Sequence, residues 1–380
     1  MSLFALGRPH LVLVLDAGMS LAIWNRYGIL ERELSLYRSL RPHLSAFTLV
    51  SHGGPEEAEF ASRLPDGRLV CNQRSLSRRL YQWRVAFGLG LMLRLSPRPA
   101  VVKTNQMPGA GFPLRIVRVS GARFLLRTGY QHLDACQRLF GVGSCEAEDA
   151  RKLERLAYGH ADLAQVTSPD SKREVMEAYG LDETQVRVVP NFVDTDLFAP
   201  RLRQERTGRP LIVMIGRLAD QKNYPAAIEA LSGLDVELVI VGDGSLLEAL
   251  QELAAHHGVK TSFLGRRVHE SLPGILTNAD LYLQTSRFEG HPKSLVEAMS
   301  CALPVIATDS PGISGLILPG ETGLLCSQDP ASIRSKVQEL LDDRQAAAAM
   351  GGRARQWVEA NCSLERVAQI ELSILNKLAS

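Results

Sequence analysis

The chain has 380 residues, a formal net charge of +2 and 45% apolar residues, a composition that excludes a disordered or fibrous protein and predicts two soluble globular domains. Its six cysteines show no Cys-x-x-Cys and no His pairing at metal spacing, which predicts reduced thiols in a cytosolic protein. The longest apolar run near the N-terminus, residues 11–15, is too short for a signal sequence or a membrane span, so a cytoplasmic location is expected.

Strand and helix patterns alternate through the first half of the chain. Strands are predicted at residues 10–16, 46–51, 68–71, 100–103, 123–126, 163–167 and 186–189. Helical spacing runs from Ala22 to about Leu40, and Ser168 followed by Pro169 predicts the start of a helix that ends near Tyr179. This alternation implies parallel βαβ units and a doubly wound sheet.

The stretch from Gly67 to Leu133, called the basic block here, contains no Asp or Glu. Its twelve cations are Arg68, Arg74, Arg78, Arg79, Arg84, Arg94, Arg98, Lys103, Arg115, Arg118, Arg123 and Arg127. An acid-free stretch of this length is rare in a chain with 41 acids, so the block is expected to face an anionic partner.

Within the basic block, residues 74–95 have the pattern of one helix with an apolar stripe. The stripe consists of Leu76, Leu80, Trp83, Phe87 and Leu91. Two interpretations are open: the stripe packs on the sheet, or it docks on anionic lipid with Trp83 at the boundary. The second interpretation adds peripheral association with the inner face of the cytoplasmic membrane. The block contains no nucleic-acid recognition module, so no nucleic acid is expected as a partner.

Residues 190–210 contain three prolines and many charges without an apolar period, which predicts an interdomain linker. After the linker the alternation restarts, with strands at 211–215, 236–241, 261–264, 279–285, 304–308 and 323–326. The fold class is therefore α/β, with two Rossmann-like doubly wound parallel-sheet domains facing across a cleft. The expected domains are residues 1–195 and 205–363, with a C-terminal helix, 364–380, that crosses back to the first domain.

The stretch 286–300 lies between a predicted strand and a predicted helix and holds two carboxylates, Glu289 and Glu297. Gly290 follows the first of them and lets the backbone come close to a ligand. Carboxylates in such a place can accept hydrogen bonds from the hydroxyl groups that flank a bound phosphate. The alternative is an acidic loop followed by one solvated helix Glu.

The predicted helix after this loop supplies an anion site of its own. Pro292 suits the first helical turn, and the N–H groups of Lys293 and Ser294 then lie at the positive end of the helix. A phosphate held on those amides is a common use of a helix N-terminus.

Three more candidates come at the carboxyl ends of predicted strands, where open α/β sheets bind ligands. Gly216-Arg217 ends one strand, and Lys222 follows on the same loop. An Arg fork and a Lys point charge on one loop suit a diphosphate, although a solvated basic loop has the same pattern. Gly242 and Gly265 end the next two strands and are turn residues by default. Their position on one edge of one sheet is what favours a common site.

Several motifs stand in a fixed order between residues 190 and 330. They are Pro190-Asn-Phe-Val-Asp194, Gly216-Arg217, Gln221-Lys222-Asn223, Val241-Gly-Asp-Gly244, Phe263-Leu-Gly265, Glu289-Gly-His-Pro-Lys-Ser-Leu-Val-Glu297 and Pro311-Gly-Ile313. Together they resemble the family 4 retaining glycosyltransferases of the GT-B fold. Looser matches to a bacterial polysaccharide-type, group 1 subgroup occur in the first half, at Gly18-Met-Ser-Leu, Lys103-Thr-Asn-Gln106 and Arg127-Thr-Gly-Tyr130.

The resemblance implies a nucleotide-diphosphate sugar as co-substrate, bound by the second domain. Arg217 and Lys222 would bind its diphosphate and Glu297 its ribose hydroxyls, while Glu289 with the amides after it would hold the transferred sugar. The candidate catalytic residues are Glu289, Arg217, Lys222 and Arg127. The candidate donor-binding residues are Gly18, Gly216, Arg217, Lys222, Gly242, Gly265, Glu289, Gly290, His291, Lys293, Ser294 and Glu297.

The first domain is implied to bind the acceptor, a hydroxyl of a glycan or of a lipid-linked sugar in cell-surface polysaccharide synthesis. The sequence departs from the family pattern at Arg127 and Thr128, where many relatives have a His. It also has Ala302 for the usual Gly and Gly315 where a Glu is common.

No metal or other cofactor is expected, because the one Asp-x-Asp pattern, Asp194 to Asp196, lies in the predicted linker and not beside the diphosphate loop. The alternative enzyme is a sugar-nucleotide epimerase or a phosphorylase of the same fold. The alternative that is not an enzyme is a catalytically silent sugar-nucleotide binder. Glycoside hydrolysis also uses two carboxylates, but it has no need of a phosphate-binding Arg, Lys and helix terminus.

Overall fold

The computed structural model describes residues 7–201 and 208–380. The chain divides into two compact units, one that ends at Val189 and takes in Val367–Ser380, and one that runs from Pro190 to Arg366. Residues 190–195 and 364–366 thus group with the second unit, and the predicted limit at residue 205 lies outside the described residues.

The first unit contains a seven-stranded parallel sheet in the order β3-β2-β1-β4-β5-β6-β7. Its strands are β1 (His10–Val14), β2 (Ala46–Val50), β3 (Arg68–Val70), β4 (Ala100–Thr104), β5 (Arg123–Arg127), β6 (Leu163–Val166) and β7 (Val186–Val188). Every residue of β1 is buried, as expected for a central strand that helices cover on both faces.

The second unit contains a six-stranded parallel sheet in the order β10-β9-β8-β11-β12-β13. Its strands are β8 (Leu211–Ile215), β9 (Glu237–Val241), β10 (Lys260–Phe263), β11 (Leu281–Gln284), β12 (Val305–Thr308) and β13 (Leu324–Cys326). In both sheets the order reverses beside the first strand of the unit, at β1/β4 and at β8/β11. The two doubly wound parallel sheets confirm the predicted fold class.

The helices pack on both faces of the two sheets, and apolar clusters fill the layers between them. They are α1 (Leu21–Arg26), α2 (Leu30–Leu40), α3 (Arg78–Leu95), α4 (Gly111–Ser120), α5 (His132–Phe140), α6 (Cys145–Tyr158), α7 (Pro169–Tyr179), α8 (Tyr224–Leu231), α9 (Leu247–His256), α10 (Leu272–Thr277), α11 (Lys293–Ser300), α12 (Pro330–Asp342), α13 (Arg344–Asn361) and α14 (Leu364–Ala379). Ser168 caps α7 as predicted, since its hydroxyl accepts a hydrogen bond from the Ser171 N–H.

Two predicted helices differ from the observed ones. The single helix from Ala22 to Leu40 is wrong, because the chain turns at Gly28, whose φ of +66° separates α1 from α2. The helix predicted to begin at residue 74 begins four residues later. Before it, the Asn72 side chain binds both the N–H and the carbonyl of Leu76, and Ser75 has a φ of +48°.

The interpretation that the apolar stripe of α3 packs on the sheet is also wrong. Leu80, Trp83, Phe87 and Leu91 are 42–64% exposed, and only Leu76, which precedes α3, packs partly against the core. The helix has a second apolar stripe on its other side, and that stripe is buried. It consists of Tyr81, Val85, Leu89 and Leu93. Periodicity alone does not show which of two apolar stripes on one helix is buried, so the predicted stripe was the exposed one.

The C-terminal helix α14 packs with the first unit from Val367 onward, as predicted. Its Glu371 is fully buried, where it accepts hydrogen bonds from Lys103 Nζ at 2.5 Å and from Gln165 Nε2 at 3.0 Å. Burial raises the pKa of Glu371, but the charges of Lys103 and Arg127 and these hydrogen bonds outweigh burial and hold the pKa below its usual range. Lys103 is therefore a buried partner of α14 and not a part of the basic surface.

Candidate functional site

The predicted donor residues of the second unit come together at the carboxyl edge of its sheet. The loops after β8, β9, β10 and β11 meet there, and the strand order reverses between β8 and β11. A crevice forms at such a point because the connections leave to opposite faces of the sheet, and α/β proteins commonly bind ligands there.

The three glycines at the strand ends lie side by side. The Gly216 N–H binds the Val241 carbonyl at 2.9 Å, and the Gly242 N–H binds the Gly265 carbonyl at 3.0 Å. A Cβ at Gly242 would overlap the carbonyl oxygen of Gly216, and its φ of +147° is one that side chains rarely adopt. Glycine at position 242 therefore lets the loops after β8 and β9 pack against each other, and it lets a ligand come close to their backbone.

Glu289 and Lys222 form an ion pair although 67 residues separate them. The Glu289 carboxylate also accepts hydrogen bonds from Ser286 Oγ at 2.7 Å and from Gln284 Nε2 at 3.1 Å. Gln221 Nε2 binds the Phe288 carbonyl at 2.9 Å and reaches the second carboxylate oxygen at 3.4 Å. The ion pair is mostly buried, with side-chain exposures of 16% for Lys222 and 10% for Glu289. The cation and the carboxylate are thus held in one fixed cluster, called the Lys222–Glu289 cluster below.

The loop that carries Glu289 is fixed by its backbone. The Glu289 N–H binds the Pro311 carbonyl at 2.8 Å, and a Cβ at Gly312 would overlap the Glu289 carbonyl oxygen. Gly290 follows, and the carbonyl of His291 accepts a hydrogen bond from the Asn191 side chain at 2.7 Å. These contacts explain why the Pro-Gly motif at 311–312 and the Asn after Pro190 accompany the acidic loop in the sequence.

Helix α11 begins at Lys293, and Pro292 is its N-cap. The prediction had placed Pro292 inside the first turn, so the helix begins one residue later than expected. The Ser294 hydroxyl donates to the Ile215 carbonyl at 3.1 Å, which holds the first turn of the helix against the end of β8. Tyr282 reinforces this contact, since its hydroxyl donates to Ser294 Oγ at 2.9 Å. The N-terminal turn of α11, whose amides point out of the helix, therefore lies beside the Gly216 loop.

Glu297 lies one turn further along α11 and is 3% exposed. His269 Nε2, on the loop after β10, lies 2.9 Å from Glu297 Oε1, and both side chains are buried. The sequence analysis missed His269 as a site residue. The signal in the sequence was its position four residues after Gly265, which was already a candidate at the end of a predicted strand.

Arg217 is exposed on the loop directly after Gly216. Arg217, Lys222 and the positive end of the α11 helix dipole lie together at this edge of the sheet. The carboxylates Glu289 and Glu297 are more buried than Arg217, and their partners are Lys222 and His269. The arrangement can bind a polyanion in front and hydroxyl groups at the carboxylates.

The predicted residues of the first unit occupy the corresponding edge of the other sheet. Gly18 follows β1 with a φ of +88°, and Arg127 is the last residue of β5, where its N–H binds Thr104 Oγ1 at 2.8 Å. The side-chain charge of Arg127 acts on Glu371 of α14. The roles of Gly18 in donor binding and of Arg127 in catalysis stay predictions.

Asp16 is a second residue that the sequence analysis did not select. It follows β1 at the switch point of the first sheet, and its Oδ1 is buried without a hydrogen-bond partner among residues 7–201 and 208–380. Burial raises the pKa of Asp16 to about 7, although hydrogen bonds from the Gln106 backbone and the Asn105 side chain lower it in part. The signal in the sequence was an acid directly after an apolar run, residues 11–15.

The described residues contain no group of three or more His, Cys, Asp or Glu side chains that could hold a metal ion. The Asp-x-Asp pattern has a local use instead. Asp194 Oδ1 accepts hydrogen bonds from the N–H groups of Asp196 and Leu197, as a turn-forming Asp does.

Comparisons with known proteins show the family of the chain. The family model for group 1 glycosyl transferases matches residues 199–357, and the model for glycosyltransferase family 4 matches residues 34–197. A GDP-mannose-dependent alpha-(1-6)-phosphatidylinositol monomannoside mannosyltransferase of Mycolicibacterium smegmatis is 32% identical over 277 residues, which cover 66% of this chain and 70% of that protein. A glycogen synthase of Mycobacterium tuberculosis is 29% identical over 235 residues, covering 60% of this chain and 57% of that protein.

Solved structures show the same fold over nearly the whole chain. Sucrose-phosphate synthase from Thermosynechococcus elongatus superposes with a TM-score of 0.79 at 19% identity, covering 98% of this chain and 99% of that one. An Anabaena protein, HepE, solved with UDP, superposes with a TM-score of 0.76 at 17% identity, covering 97% and 100%. These neighbours confirm the predicted GT-B fold. The chain belongs to the group 1 glycosyltransferases of family 4 and is a glycosyltransferase of the hexosyltransferase type.

Proposed function

We propose that the protein is a retaining glycosyltransferase that moves a sugar from a nucleotide-diphosphate sugar to a hydroxyl of a glycan or lipid-linked acceptor. The observation that carries the proposal is the Lys222–Glu289 cluster at the switch point of the second sheet, beside Arg217 and the start of α11. The name of the mycobacterial relative, a GDP-mannose-dependent mannosyltransferase acting on a phosphatidylinositol monomannoside, supports this substrate class.

In this proposal the positive edge of the second sheet holds the diphosphate. Arg217 and Lys222 bind its oxygens, and the first-turn amides of α11 from Lys293 and Ser294 bind it from the other side. The glycines at residues 216, 242 and 265 allow the nucleotide to lie close to the backbone. Glu297, oriented by His269, accepts hydrogen bonds from the ribose hydroxyls.

Glu289 is proposed to hold the transferred sugar, together with the backbone of Gly290 and His291. Three side-chain donors fix its carboxylate in place before any substrate arrives. Such preorganisation matters because a group already held in position needs no reorganisation during the reaction.

The chemical step follows from the charges. The bond between the sugar's anomeric carbon and the diphosphate oxygen breaks, and its electron pair stays on the diphosphate. The acceptor oxygen bonds to that carbon on the face from which the diphosphate departs, which keeps the configuration, and its proton passes to the departing diphosphate oxygen. Arg217, Lys222 and the amides of α11 stabilise the leaving charge more in the transition state than in the bound substrate, and such a difference is what accelerates a reaction.

We propose that the reaction needs no metal ion, since Arg217, Lys222 and the first-turn amides of α11 could neutralise the diphosphate in place of a metal. The test is a transfer assay in EDTA, with the configuration of the product's anomeric carbon followed by proton NMR. The proposal predicts undiminished activity and the same configuration as in the donor. Activity restored only by a divalent cation contradicts the metal-free proposal, and an inverted product contradicts retention.

The same assay separates the alternative functions. An epimerase changes the nucleotide sugar without any acceptor, a phosphorylase needs inorganic phosphate, and a silent binder leaves the donor intact.

For location we propose the cytoplasm. No helix among the described residues has the length and apolarity needed to cross a membrane.

Glu297→Gln tests the proposed ribose contact. Removing the charge but keeping the shape should weaken nucleotide-sugar binding by about 1–2 kcal/mol, the value of a charge-assisted hydrogen bond, or about 5- to 30-fold. Calorimetry measures the affinity, and the melting temperature of the free protein shows whether the packing against His269 survives. Unchanged affinity in a folded variant contradicts the role.

A further inference from the structure

The apolar side chains that α3 exposes, called the α3 face here, form a surface on the first unit. Its members are Leu80, Trp83, Phe87, Leu91, Met92 and Leu95, which are 37–76% exposed. Spacings of three and four residues align most of them along one side of the helix. The rings of Trp83 and Phe87 stack with centroids 5.8 Å apart and planes 7° apart. Exposed apolar patches of several large side chains usually mark a binding surface.

Arginines lie beside the α3 face and at the start of α3. Arg84 and Arg94 share its side of the helix by the same spacing, and both are exposed. At the start of α3, Arg78 and Arg79 line an open depression that also includes Trp83 and Arg115, the latter from α4. The basic block has no acid of its own to neutralise these charges.

We propose that the α3 face inserts into the interface of a bilayer rich in anionic lipid. Leu80, Trp83, Phe87 and Leu91 would enter the boundary between headgroups and acyl chains, and the arginines would bind the headgroup phosphates. An apolar strip bordered by cations is the surface that an interfacial helix presents to such a membrane. This inference goes beyond the proposed function and does not depend on it.

The charges favour a lipid surface over other occupants. A second copy of this chain seated on the α3 face would bring two sets of arginines together, which repel each other. A soluble anion would bind the arginines but would leave six apolar side chains in water. An anionic bilayer complements both features, since it offers phosphate outside and acyl chains beneath.

The geometry of α3 suits lying in the interface rather than crossing it. Its buried stripe, with Tyr81, Leu89 and Leu93, packs in the core of the first unit. Gly90 brings α3 close to α4, since a Cβ there would lie 2.7 Å from Val119 Cβ. Because this side is fixed to the protein, only the α3 face is available to lipid.

The experiment uses the full chain with vesicles of phosphatidylcholine alone or mixed with phosphatidylglycerol. We expect co-sedimentation with the mixed vesicles at low salt, and binding at least about tenfold weaker at high salt or with phosphatidylcholine alone, because salt screens the headgroup attraction. Tryptophan emission should shift to the blue on binding. Of the three tryptophans, Trp83 is the exposed one, whereas Trp24 is buried and Trp357 partly buried.

Two variants and a control test which surface binds. The pair Trp83→Ser with Phe87→Ser should weaken vesicle binding at least about tenfold, since two anchors leave the interface. The pair Arg78→Gln with Arg79→Gln should weaken it and flatten its salt dependence. Leu156→Ser, at an exposed apolar position on α6, should change neither. Nucleotide-sugar binding should stay unchanged in all of these variants.

Three results would overturn the proposal. The first is no binding of the folded wild type to anionic vesicles at low salt. The second is binding that the Trp83/Phe87 pair leaves unchanged. The third is a wild type that self-associates without vesicles and loses that association in the same pair, which would assign the α3 face to a second copy of the chain.

Discussion

Lys222→Met should lower the turnover of sugar transfer about 10²- to 10³-fold, the effect of removing one preorganised charge partner from a transition state. Lys222 is 16% exposed and paired with Glu289. We infer that its charge faces the leaving diphosphate. Methionine keeps the shape of the side chain to within one atom and removes the ammonium group with its charge. Initial rates with a bound nucleotide sugar measure the effect.

The chain offers a matched control for this variant. Lys260 also pairs with a glutamate, Glu237, but on the edge strand β10 and with 63% of its side chain exposed. Exposed ion pairs contribute little to stability, and this one lies outside the candidate site. Lys260→Met should therefore change the rate of sugar transfer less than about twofold. Equal effects of the two substitutions contradict a special role for Lys222.

A double variant tests whether Lys222 and Glu289 act together. Glu289→Gln alone should also reduce turnover strongly, because it removes the carboxylate that orients the lysine. If the two act as a unit, adding Lys222→Met to it should cost far less than the product of the two single losses. Strictly multiplicative losses would mean that the ion pair has no functional coupling.

Glu371→Ala should lower the free energy of unfolding by about 3–5 kcal/mol, since it leaves the Lys103 ammonium buried without its carboxylate. Both side chains are at most 1% exposed, so water does not replace the lost partner. Urea unfolding followed by circular dichroism measures the loss. Glu365→Ala, at an exposed position on the same helix, is the control and should change little.

Replacing both partners, Lys103→Met with Glu371→Leu, should recover most of this loss, because apolar pairs of similar volume often equal a buried ion pair. A Glu371→Ala variant as stable as the control would contradict the view that this pair anchors α14. So would a double variant less stable than the single one.

The meeting of the candidate residues of the second unit was predictable, because in parallel sheets ligands bind at the carboxyl ends of the strands. Once β8 and β11 were placed as strands, Lys222 and Glu289 had to emerge at the same edge if those strands were neighbours. What the sequence did not contain is the direct ion pair between them. It depends on how the two loops turn, and Gly312 and Pro311 fix one of these turns through the backbone of Glu289.

The first unit was less predictable, for two physical reasons. Helix α3 has apolar residues on both sides, so spacing identified a real stripe but not the side that packs. Lys103 read as one more cation of the basic block, although its partner Glu371 comes 268 residues later. Asp16 and His269 were missed because a lone acid or His at a strand end is significant only when its neighbours are known.

The most direct test of the central claim is calorimetric binding of a panel of nucleotide sugars, with UDP and GDP themselves, to the wild type and to Lys222→Met. The claim is that the carboxyl edge of the second sheet is the donor site. It predicts that at least one nucleotide sugar binds the wild type in EDTA, and that Lys222→Met binds it more weakly while Lys260→Met does not. A panel in which nothing binds the folded wild type, or in which Lys222→Met binds as tightly, would contradict it.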